Sequence, residues 1–336
     1  MPTILRRSIL AFALLTLTGA TFAAGSTARG QLDPQQRQAF LAEVEEKYGI
    51  AEEVAAPLLD QAKYQQSIID AITRPAEAKP WKDYRPIFLT ADRISKGRAF
   101  LETHRAALQA TEAETGVPAA IIVAILGVET GYGANTGRYK VLDALYTLGF
   151  FHEPRATFFR GELAQSFALA QEEAFDLAAI TGSYAGAMGW GQFIPSSYRA
   201  YAVDGDGDGM RDLWNSLPDV FASVANYFKA HMWLRGEPVA VPAVRAEGAE
   251  EFKPGSMEAK YTLLELADKG YRPAEAIGHA APATLLTLEG ANGTEYWITF
   301  DNFYVISRYN RSPLYSMAVF QLAQAIAGTD SATLEP

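Results

Sequence analysis

The sequence predicts an α+β fold that is mostly α-helical. Several stretches before Gly236 carry apolar residues every three or four positions, which is the spacing of one face of a helix. After Gly236 the chain is rich in Pro, Ala and Val without that spacing. Two short alternating runs then flank residues 290–293, whose sequence GANG is typical of a hairpin turn. A helical protein with a small β insert is therefore expected.

The apolar spacing places the helices along the chain. They are predicted over residues 33–72, 93–114, 163–180, 218–234 and, at the C-terminal end, 315–326. Pro118 is expected to open a further helix that carries Glu129, because proline suits the first turn of a helix. The proline-rich segment from Thr73 to Pro86 predicts a connector that contains Trp81 and Tyr84.

The N-terminus has the three parts of a secretory signal peptide. Arg6 and Arg7 precede an apolar run from Ile9 to Leu17, and a short exit of small residues follows. Residues 1–24 are therefore the predicted signal peptide. An uncleaved membrane anchor is the alternative, although the apolar run is shorter than a spanning helix requires.

The composition limits the partners of the chain. With 29 basic against 39 acidic residues, the formal net charge is −10, which disfavours binding to nucleic acid or to an anionic membrane surface. There is no cysteine, so an exported protein of this sequence relies on its apolar core rather than on disulfides, and no thiol is available for a lipid anchor. No later segment is long enough to span a bilayer.

A single carboxylate ends the apolar run from Ile121 to Gly133, which reads IIVAILGVETGYG. At the C-terminal end of an apolar helix, the helix dipole and the apolar surroundings both raise the pKa of Glu129. A raised pKa suits a general acid that works near neutral pH. Gly131 and Gly133 would allow sharp turns and close approach of a ligand, and Tyr132 would offer a stacking or hydrogen-bonding surface. A structural glutamate paired with an arginine is the alternative.

The stretch from Asp204 to Asn215, DGDGDGMRDLWN, has the spacing of an EF-hand calcium loop. Acidic side chains stand at loop positions 1, 3, 5 and 9, Gly209 stands at position 6, and Met210 would offer its backbone carbonyl at position 7. So many oxygen ligands suit Ca²⁺, a hard cation. A solvated turn of glycines and aspartates is the alternative.

The loop departs from the EF-hand pattern at its end. Position 12 is Asn215 and not the usual bidentate glutamate. Asp219 lies four residues further and would close a longer loop, and Asp212 also lies within reach. The residue that completes the calcium shell is therefore left open among these three.

Three further stretches accompany GVETGYG and the aspartate loop: GSYAGAMGWGQFIPSSY, SVANYF and NFYVISRYNRSPLY. In this order, from about Tyr84 to the C-terminal helix, they resemble the lytic murein transglycosylase B family of bacterial cell-wall enzymes. The resemblance implies a lysozyme-like catalytic core with an added helical domain and a small β domain. It also implies a periplasmic protein that acts on peptidoglycan glycan strands, with a structural Ca²⁺ and no catalytic cofactor.

The resemblance implies a reaction without water. The β-1,4 bond between N-acetylmuramic acid and N-acetylglucosamine is cleaved when the muramic acid 6-hydroxyl attacks its own C1, which leaves a 1,6-anhydro end. Glu129 would serve as general acid and then as general base. Ser183 and Gln192 would contact the sugar, and Asn310 and Tyr315 would stand beside the acid.

Other residues would line the cleft or hold the ion. Met188, Phe193 and Tyr227 would form an apolar floor and stacking faces, for which core packing is the alternative. Tyr84 and Arg155 would be outer contacts to glycan and peptide; the family often has two arginines where this chain has only Arg155. The implied calcium ligands are Asp204, Asp206, Asp208, Met210 and Asp219.

The resemblance and the composition together predict a domain order. It comprises a signal peptide (1–24), an N-terminal helical segment (25–90), a lysozyme-like core with the calcium loop (91–236), a small β-containing domain (237–300) and a C-terminal segment that returns to the core (301–336). Protein partners and oligomeric state are left open.

Two other functions are compatible with the same residues. A hydrolytic muramidase would need a second carboxylate opposite Glu129, and Asp143, Glu153 and Glu162 follow it in the sequence without a motif that places them there. A non-catalytic, calcium-stabilised wall-binding protein would need Glu129 to be structural.

Overall fold

The computed structural model describes residues 30–74, 79–278 and 281–329. The predicted signal peptide, residues 1–24, lies outside the described residues. Within the described ranges no single helix is long and apolar enough to cross a membrane.

Three short helices form the N-terminal part of the chain. They are α1 (Pro34–Tyr48), α2 (Glu52–Gln61) and α3 (Gln66–Ile72). The side chain of Asp33 caps α1, and Gly49 ends it in the left-handed conformation with φ 67°. The helical stretch predicted over 33–72 is therefore confirmed as helix, but in three pieces.

The proline-rich connector predicted from Thr73 to Pro86 is wrong in its second half. Helix α4 spans Trp81–Phe88 and contains Pro86 as its sixth residue. The helix forms because Trp81 is buried in the main core, at 1% exposure. That burial outweighs the one helical hydrogen bond that a proline at this position removes.

The single helix predicted over 93–114 is two helices. These are α5 (Ala91–Thr103) and α6 (Arg105–Thr115), which meet at His104, whose φ of −107° leaves the helical region. The end near Gly116 is confirmed, since this residue closes α6 with φ 79°.

The remaining helices are α7 (Ala119–Thr130), α8 (Val141–Phe151), α9 (Ala156–Glu172), α10 (Pro195–Tyr201), α11 (Leu217–Ala230), α12 (Leu263–Asp268), α13 (Asp301–Tyr309) and α14 (Pro313–Ala327), with a 3₁₀ turn at Glu153–Arg155. Helices α7, α11 and α14 lie close to their predicted positions. Helix α9 begins earlier than the predicted stretch 163–180 and ends at Glu172, before the turn 173–179. Helix α8 escaped prediction because all of residues 141–149 are buried, which leaves no apolar face to alternate with a polar one.

Helix α7 forms the centre of the main core. Nine of its twelve residues are buried, and it packs against α5, α11 and α14. A helix that is apolar on every side is stable only when neighbours surround it. The C-terminal helix α14 is one of these neighbours, so the end of the chain completes the core that surrounds Glu129.

Two antiparallel sheets complete the fold. The first has only β1 (Tyr139–Lys140) and β2 (Thr181–Gly182) and lies beside the loop that follows α7. The second has β3 (Ala240–Arg245), β4 (Tyr271–Pro273), β5 (Thr284–Gly290) and β6 (Gly293–Thr299), in the order β4-β3-β6-β5. Strands β5 and β6 pair from Thr284↔Thr299 to Gly290↔Gly293, which confirms the predicted hairpin. The second sheet has a small core of its own, formed by Leu266, Tyr271, Ala283, Leu285, Ile298 and Phe300.

One buried side chain joins the second sheet to the helices. Asn302, in the first turn of α13, is 0% exposed. Its Oδ1 accepts from the Leu234 backbone N–H at 2.8 Å, and its Nδ2 donates to the carbonyls of Leu234 at 2.8 Å and Glu237 at 2.9 Å. The segment that leads from α11 to β3 is therefore held to α13 by this single amide.

We predict that Asn302→Ala destabilises the protein by on the order of 3 kcal/mol, because it removes three hydrogen bonds between a fully buried side chain and the backbone of the segment after α11. The measurement is the urea midpoint, followed by circular dichroism. Asn226→Ala is the matched control, since the Asn226 amide donates to a single backbone group of the described residues, the Tyr201 carbonyl at 2.9 Å. A midpoint shift for Asn302→Ala no larger than that of the control would contradict the prediction.

Candidate active site

Glu129 lies in the last turn of the buried helix α7. The helix ends at Gly131, whose φ is 61°, and the Tyr132 N–H donates to the Leu126 carbonyl at 3.0 Å across the turn. This places Glu129 at the negative end of the helix dipole, where a proton on the carboxyl is favoured over a charge.

The carboxyl of Glu129 has one side-chain hydrogen-bond partner among the described residues, which is Tyr315. The Tyr315 hydroxyl donates to Oε1 at 2.6 Å. Burial raises the pKa of Glu129 to about 7, and the bond from Tyr315 opposes that rise only in part. The group is therefore an acid poised near neutral pH, as the sequence pattern predicts. Among the described residues no arginine or lysine contributes to its pKa, which disfavours the structural ion-pair alternative.

Tyr315 is buried and Tyr309 is partly buried, and both lie near Glu129. Burial and the nearby charge of Glu129 raise the pKa of both hydroxyls well above the usual value, so both stay protonated. The Tyr309 hydroxyl donates to the Gly191 carbonyl at 2.5 Å, while that of Tyr315 points its proton at the carboxyl. Tyr315 is thus a fixed donor to the acid, and Tyr309 fastens the neighbouring loop.

The two glycines after Glu129 have different surroundings. A Cβ on Gly131 would meet only the Ala134 side chain, at 3.9 Å, so the space there is open. A Cβ on Gly133 would lie 2.4 Å from the Trp190 indole. The expectation that both glycines leave room for a ligand is therefore wrong for Gly133, where the absent side chain makes room for tryptophan.

Tyr132 also departs from its expected role. Its φ is 63°, and its hydroxyl donates to the Arg93 carbonyl at 2.8 Å. Its hydroxyl also occupies the space that a side chain on Gly97 or Gly127 would need. The tyrosine therefore holds α5 against the end of α7 and does not offer the expected stacking surface.

The segment from Gly182 to Phe193 folds back on itself as a tight loop beside Glu129. Met188 and Phe193 exchange both backbone hydrogen bonds at 2.9 Å. Gln192, at φ 53°, donates from Nε2 to the carbonyls of Thr136 at 3.1 Å and Gly189 at 2.9 Å. Gln192 thereby joins this loop to the one that leaves α7.

Ser183 lies at the start of the same loop. Its Oγ accepts from the Ala185 N–H at 3.2 Å and from the Ala187 N–H at 3.0 Å. The hydroxyl proton is not used by these bonds and remains free to donate. The expected sugar contact of Ser183 therefore stays a prediction that this geometry permits.

An aromatic layer underlies the loop. The ring of Phe193 lies 5.9 Å from those of Tyr227 and Tyr309, and the Tyr227 hydroxyl donates to the Arg308 carbonyl at 2.6 Å. Met188, Phe193 and Tyr227 are all less than 9% exposed. This burial also fits the core-packing alternative, so their roles as apolar floor and stacking faces remain predictions.

Three other residues that the resemblance places in the cleft have different surroundings. Tyr84 stacks on Trp81, with 6.4 Å between ring centroids, and lies close enough to Tyr315 to affect its ionisation. Asn310 is exposed, and its Oδ1 accepts from the Ser312 N–H at 3.2 Å. Arg155 is exposed at the start of α9.

The aspartate loop brings three carboxylates together. Oxygen atoms of Asp204, Asp206 and Asp219 all lie within 4.8 Å of one another. Backbone N–H groups of residues 207, 208 and 209 donate to Asp204 and hold its pKa below the usual value. Asp219, 0% exposed, accepts from the N–H groups of Gly205 and Asp212, each at 2.7 Å.

The other candidates for the ion lie apart from these three. Asp208 accepts from the Met210 N–H at 2.8 Å and is exposed. Asp212 and Asn215 bond to each other at 2.8 Å and form a turn. Asp219 therefore lies with Asp204 and Asp206, whereas Asp212 and Asn215 do not, and the residue that would complete an ion's shell stays a prediction.

Comparison with known proteins decides the family. Residues 32–324 match the model of the transglycosylase SLT domain. The chain belongs to the transglycosylase SLT family. Over 300 residues it is 41% identical to membrane-bound lytic murein transglycosylase B of Escherichia coli K12, covering 86% of this chain and 82% of that protein. As a member of this family, the protein is an enzyme of the lytic murein transglycosylase class.

Solved structures of the family have the same fold. SltB1 of Pseudomonas aeruginosa is 49% identical with a TM-score of 0.82, over 88% of this chain and 98% of that one. The E. coli transglycosylase SLT35 in complex with calcium is 40% identical with a TM-score of 0.79, over 90% and 95%. SltB3 of P. aeruginosa in complex with NAG-NAM-pentapeptide is 30% identical with a TM-score of 0.78, over 90% and 82%. The predicted lysozyme-like α+β fold is confirmed.

Tyr309 is the residue of the site that the sequence pattern did not single out. It lies in the family motif NFYVISRYNRSPLY, one position before Asn310. Nothing in the spacing separates it from the other aromatic residues of that motif. Only the packing of α13 shows that its hydroxyl reaches the loop at Gly191.

We predict that Glu129→Gln stabilises the folded protein at pH 8 but not at pH 4. The folded pKa of Glu129, about 7, exceeds the ordinary value of 4.5, so the wild type loses stability as pH rises between these values. The amide of the variant has no charge to bury. We therefore expect its free energy of unfolding at pH 8 to exceed that of the wild type by roughly 2 to 3 kcal/mol. The measurement is urea unfolding at both pH values.

The exposed loop residue Glu247 provides the control, since Glu247→Gln removes a charge that is not buried. It is expected to change stability little at either pH. A Glu129→Gln variant no more stable than wild type at pH 8 would show that the carboxyl is not disfavoured by burial.

Proposed function

We propose that the protein cleaves the β-1,4 bond between N-acetylmuramic acid and N-acetylglucosamine of peptidoglycan without water and leaves a 1,6-anhydro end. The observation that carries the proposal is the isolated Glu129 carboxyl, buried and bonded to the Tyr315 hydroxyl at 2.6 Å. One protonated carboxyl suffices for this reaction, whereas hydrolysis uses two. A complex of the related SltB3 with NAG-NAM-pentapeptide supports this substrate class.

In the first step Glu129 acts as general acid. With a pKa of about 7, much of the population carries a proton at neutral pH, and the carboxyl gives this proton to the glycosidic oxygen as the bond from C1 breaks. The bond from Tyr315 then stabilises the carboxylate that forms, because hydrogen bonds to ionised groups are the stronger ones.

In the second step the same carboxylate acts as base. It removes the proton of the muramic acid 6-hydroxyl while that oxygen bonds to C1. The departing glycan end has gained one proton and the attacking oxygen has lost one, so Glu129 returns to its protonated state. The burial that raises its pKa makes it a stronger base for this second transfer.

A hydrolytic muramidase is the weaker alternative. Asp143 is occupied by the Lys63 N–H at 2.8 Å, and Glu162 accepts from the Ser196 N–H and hydroxyl at 2.9 and 2.7 Å. Glu153 lies in the exposed 3₁₀ turn before α9. None of the three is positioned by a contact with Glu129 or Tyr315 in the described part of the chain.

We infer that the aspartate loop binds a structural Ca²⁺. Asp204, Asp206 and Asp219 offer carboxylate oxygens within 4.8 Å of one another, and such a cluster of like charges fits a hard cation. The ion would neutralise their repulsion when bound. The calcium complex of SLT35 supports the assignment. The loop joins the segment of Gln192 to the helix of Tyr227, so the ion would steady the cleft from outside it.

The proposed location is the periplasm, where peptidoglycan is accessible to an exported protein. The predicted signal peptide supports it, and the E. coli relative is described as membrane-bound and acting as a lytic murein transglycosylase. The proposed partner is the glycan strand itself.

We predict that Glu129→Gln lowers turnover of purified sacculi by several orders of magnitude, because the amide can neither give nor take the proton. The urea unfolding of the same variant at pH 8, described above, shows whether it remains folded. Tyr315→Phe is expected to lower turnover far less, by about 10- to 100-fold, since it removes only one hydrogen bond to the acid.

Mass spectrometry of the wild-type products identifies the reaction. An anhydro end lacks one water molecule relative to a hydrolytic end. Hydrolytic products would refute the proposed reaction, and a tenth of wild-type turnover in Glu129→Gln would refute the role of the residue.

We predict that Ca²⁺ raises the melting temperature of metal-free protein, because a ligand that binds only the folded state stabilises it. Asp206→Asn should remove most of this shift, while Asp268→Asn, on the exposed face of α12, should not. Mg²⁺ should act less, since it gives up its water reluctantly. Chelator should reduce cleavage of sacculi without abolishing it. A melt unchanged by Ca²⁺ would exclude the site.

A further inference from the structure

A polar cavity of about 590 Å³ opens beside β1, between the α2–α3 connection and the start of α8. Lys63, Arg138 and Lys140 lie on its wall, together with polar groups such as Gln65. All three cationic residues are exposed. A local excess of positive charge is notable in a chain of net charge −10, because such a patch attracts anions that the rest of the surface repels.

The three cations are not neutralised by carboxylates within the described ranges. The guanidinium of Arg138 lies 5.7 Å from the ring centroid of Tyr139. The ammonium of Lys140 donates to the Ala178 carbonyl at 2.6 Å, a neutral partner. Lys63 uses its backbone N–H, and not its ammonium, for Asp143.

The two carboxylates of the cavity are engaged elsewhere. Arg37 binds Asp60 through two nitrogen atoms, at 3.0 and 2.9 Å. Asp143 is 5% exposed and receives the Lys63 N–H at 2.8 Å and the Gln65 amide at 3.3 Å. The three cations therefore remain available to an anionic ligand from solution.

The cavity adjoins the proposed sugar contacts. Arg138 lies on the loop that leaves the Glu129 helix. Two residues before it, the Thr136 carbonyl accepts from Gln192. One residue before it, Gly137 lies so close to the next strand that a Cβ there would be 2.5 Å from the Ser183 nitrogen. The loop that carries Arg138 is thus packed against the segment that carries Ser183 and Gln192.

We propose that this cavity binds a carboxylate of the peptide stem of the substrate, through Lys63, Arg138 and Lys140. The inference rests on the proposed function, since it concerns the same substrate. The glycan backbone of peptidoglycan offers amides and hydroxyls, whereas its peptide stems carry the carboxylates that lysine and arginine recognise. The site is separate from Arg155, whose guanidinium packs on the rings of Phe158 and Phe159 at 4.5 and 5.0 Å.

The test measures binding without turnover, in full-length mature protein that carries Glu129→Gln. The probes are a soluble peptidoglycan disaccharide with its acidic peptide stem and the same disaccharide without peptide, studied by calorimetry. Adding Lys63→Gln with Arg138→Gln should raise the Kd of the peptide-bearing probe about tenfold, since two partly solvated ion pairs are lost. The salt dependence of that Kd should also become weaker.

A matched control removes the same two charges elsewhere. Lys229→Gln with Arg272→Gln changes exposed residues outside the cavity and should leave the Kd within twofold. Equal Kd values for the two double variants would overturn the proposal, as would an equal loss for the peptide-free probe. The anhydro reaction is judged separately, by product mass in the wild type, so a failure of either idea can be recognised without the other.

Discussion

The candidate site depends on placing one carboxyl where its charge is poorly solvated. Helix α7 is apolar on every side and is enclosed by α5, α11 and α14, and Glu129 at its last turn is partly buried. Burial raises the pKa of Glu129 to about 7, and the hydrogen bond from Tyr315 lowers this pKa in part. Because Tyr315 belongs to α14, the acid is complete only when the C-terminal helix has docked.

The surroundings of the acid are held mainly by hydrogen bonds to backbone carbonyls. Tyr132, Tyr227 and Tyr309 each donate a hydroxyl to a carbonyl of another segment. Gln192 does the same with its amide. Irregular loops have few ladder bonds of their own, so such side chains provide the rigidity that a catalytic geometry needs. The aspartate loop stands further out and connects the loop of Gln192 to helix α11.

The sequence by itself determined much of the architecture and singled out Glu129 as the candidate acid. Apolar residues at helical spacing predicted α1 to α3, α11 and α14, and the GANG turn predicted the hairpin. Both predictions succeed because helix and strand periodicity are local properties of the chain. The apolar run before Glu129 also predicted the direction of its pKa shift, because a carboxyl at the end of an apolar helix is expected to be poorly solvated. The alternating aspartates from Asp204 to Asp208 likewise predicted a candidate ion site.

Only the tertiary structure decided which side chains meet. The partner of Glu129 lies 186 residues away in sequence, and no local pattern brings Tyr315 to it. The helix at Trp81 exists because a distant core buries that indole, which overrides the local signal of its prolines. Helix α8 has no periodic apolar pattern because it is buried on all sides. Gly133 is required where it stands because any side chain there would collide with Trp190. Contacts between remote segments supply most of the energy of such features, so a local reading of the sequence cannot contain them.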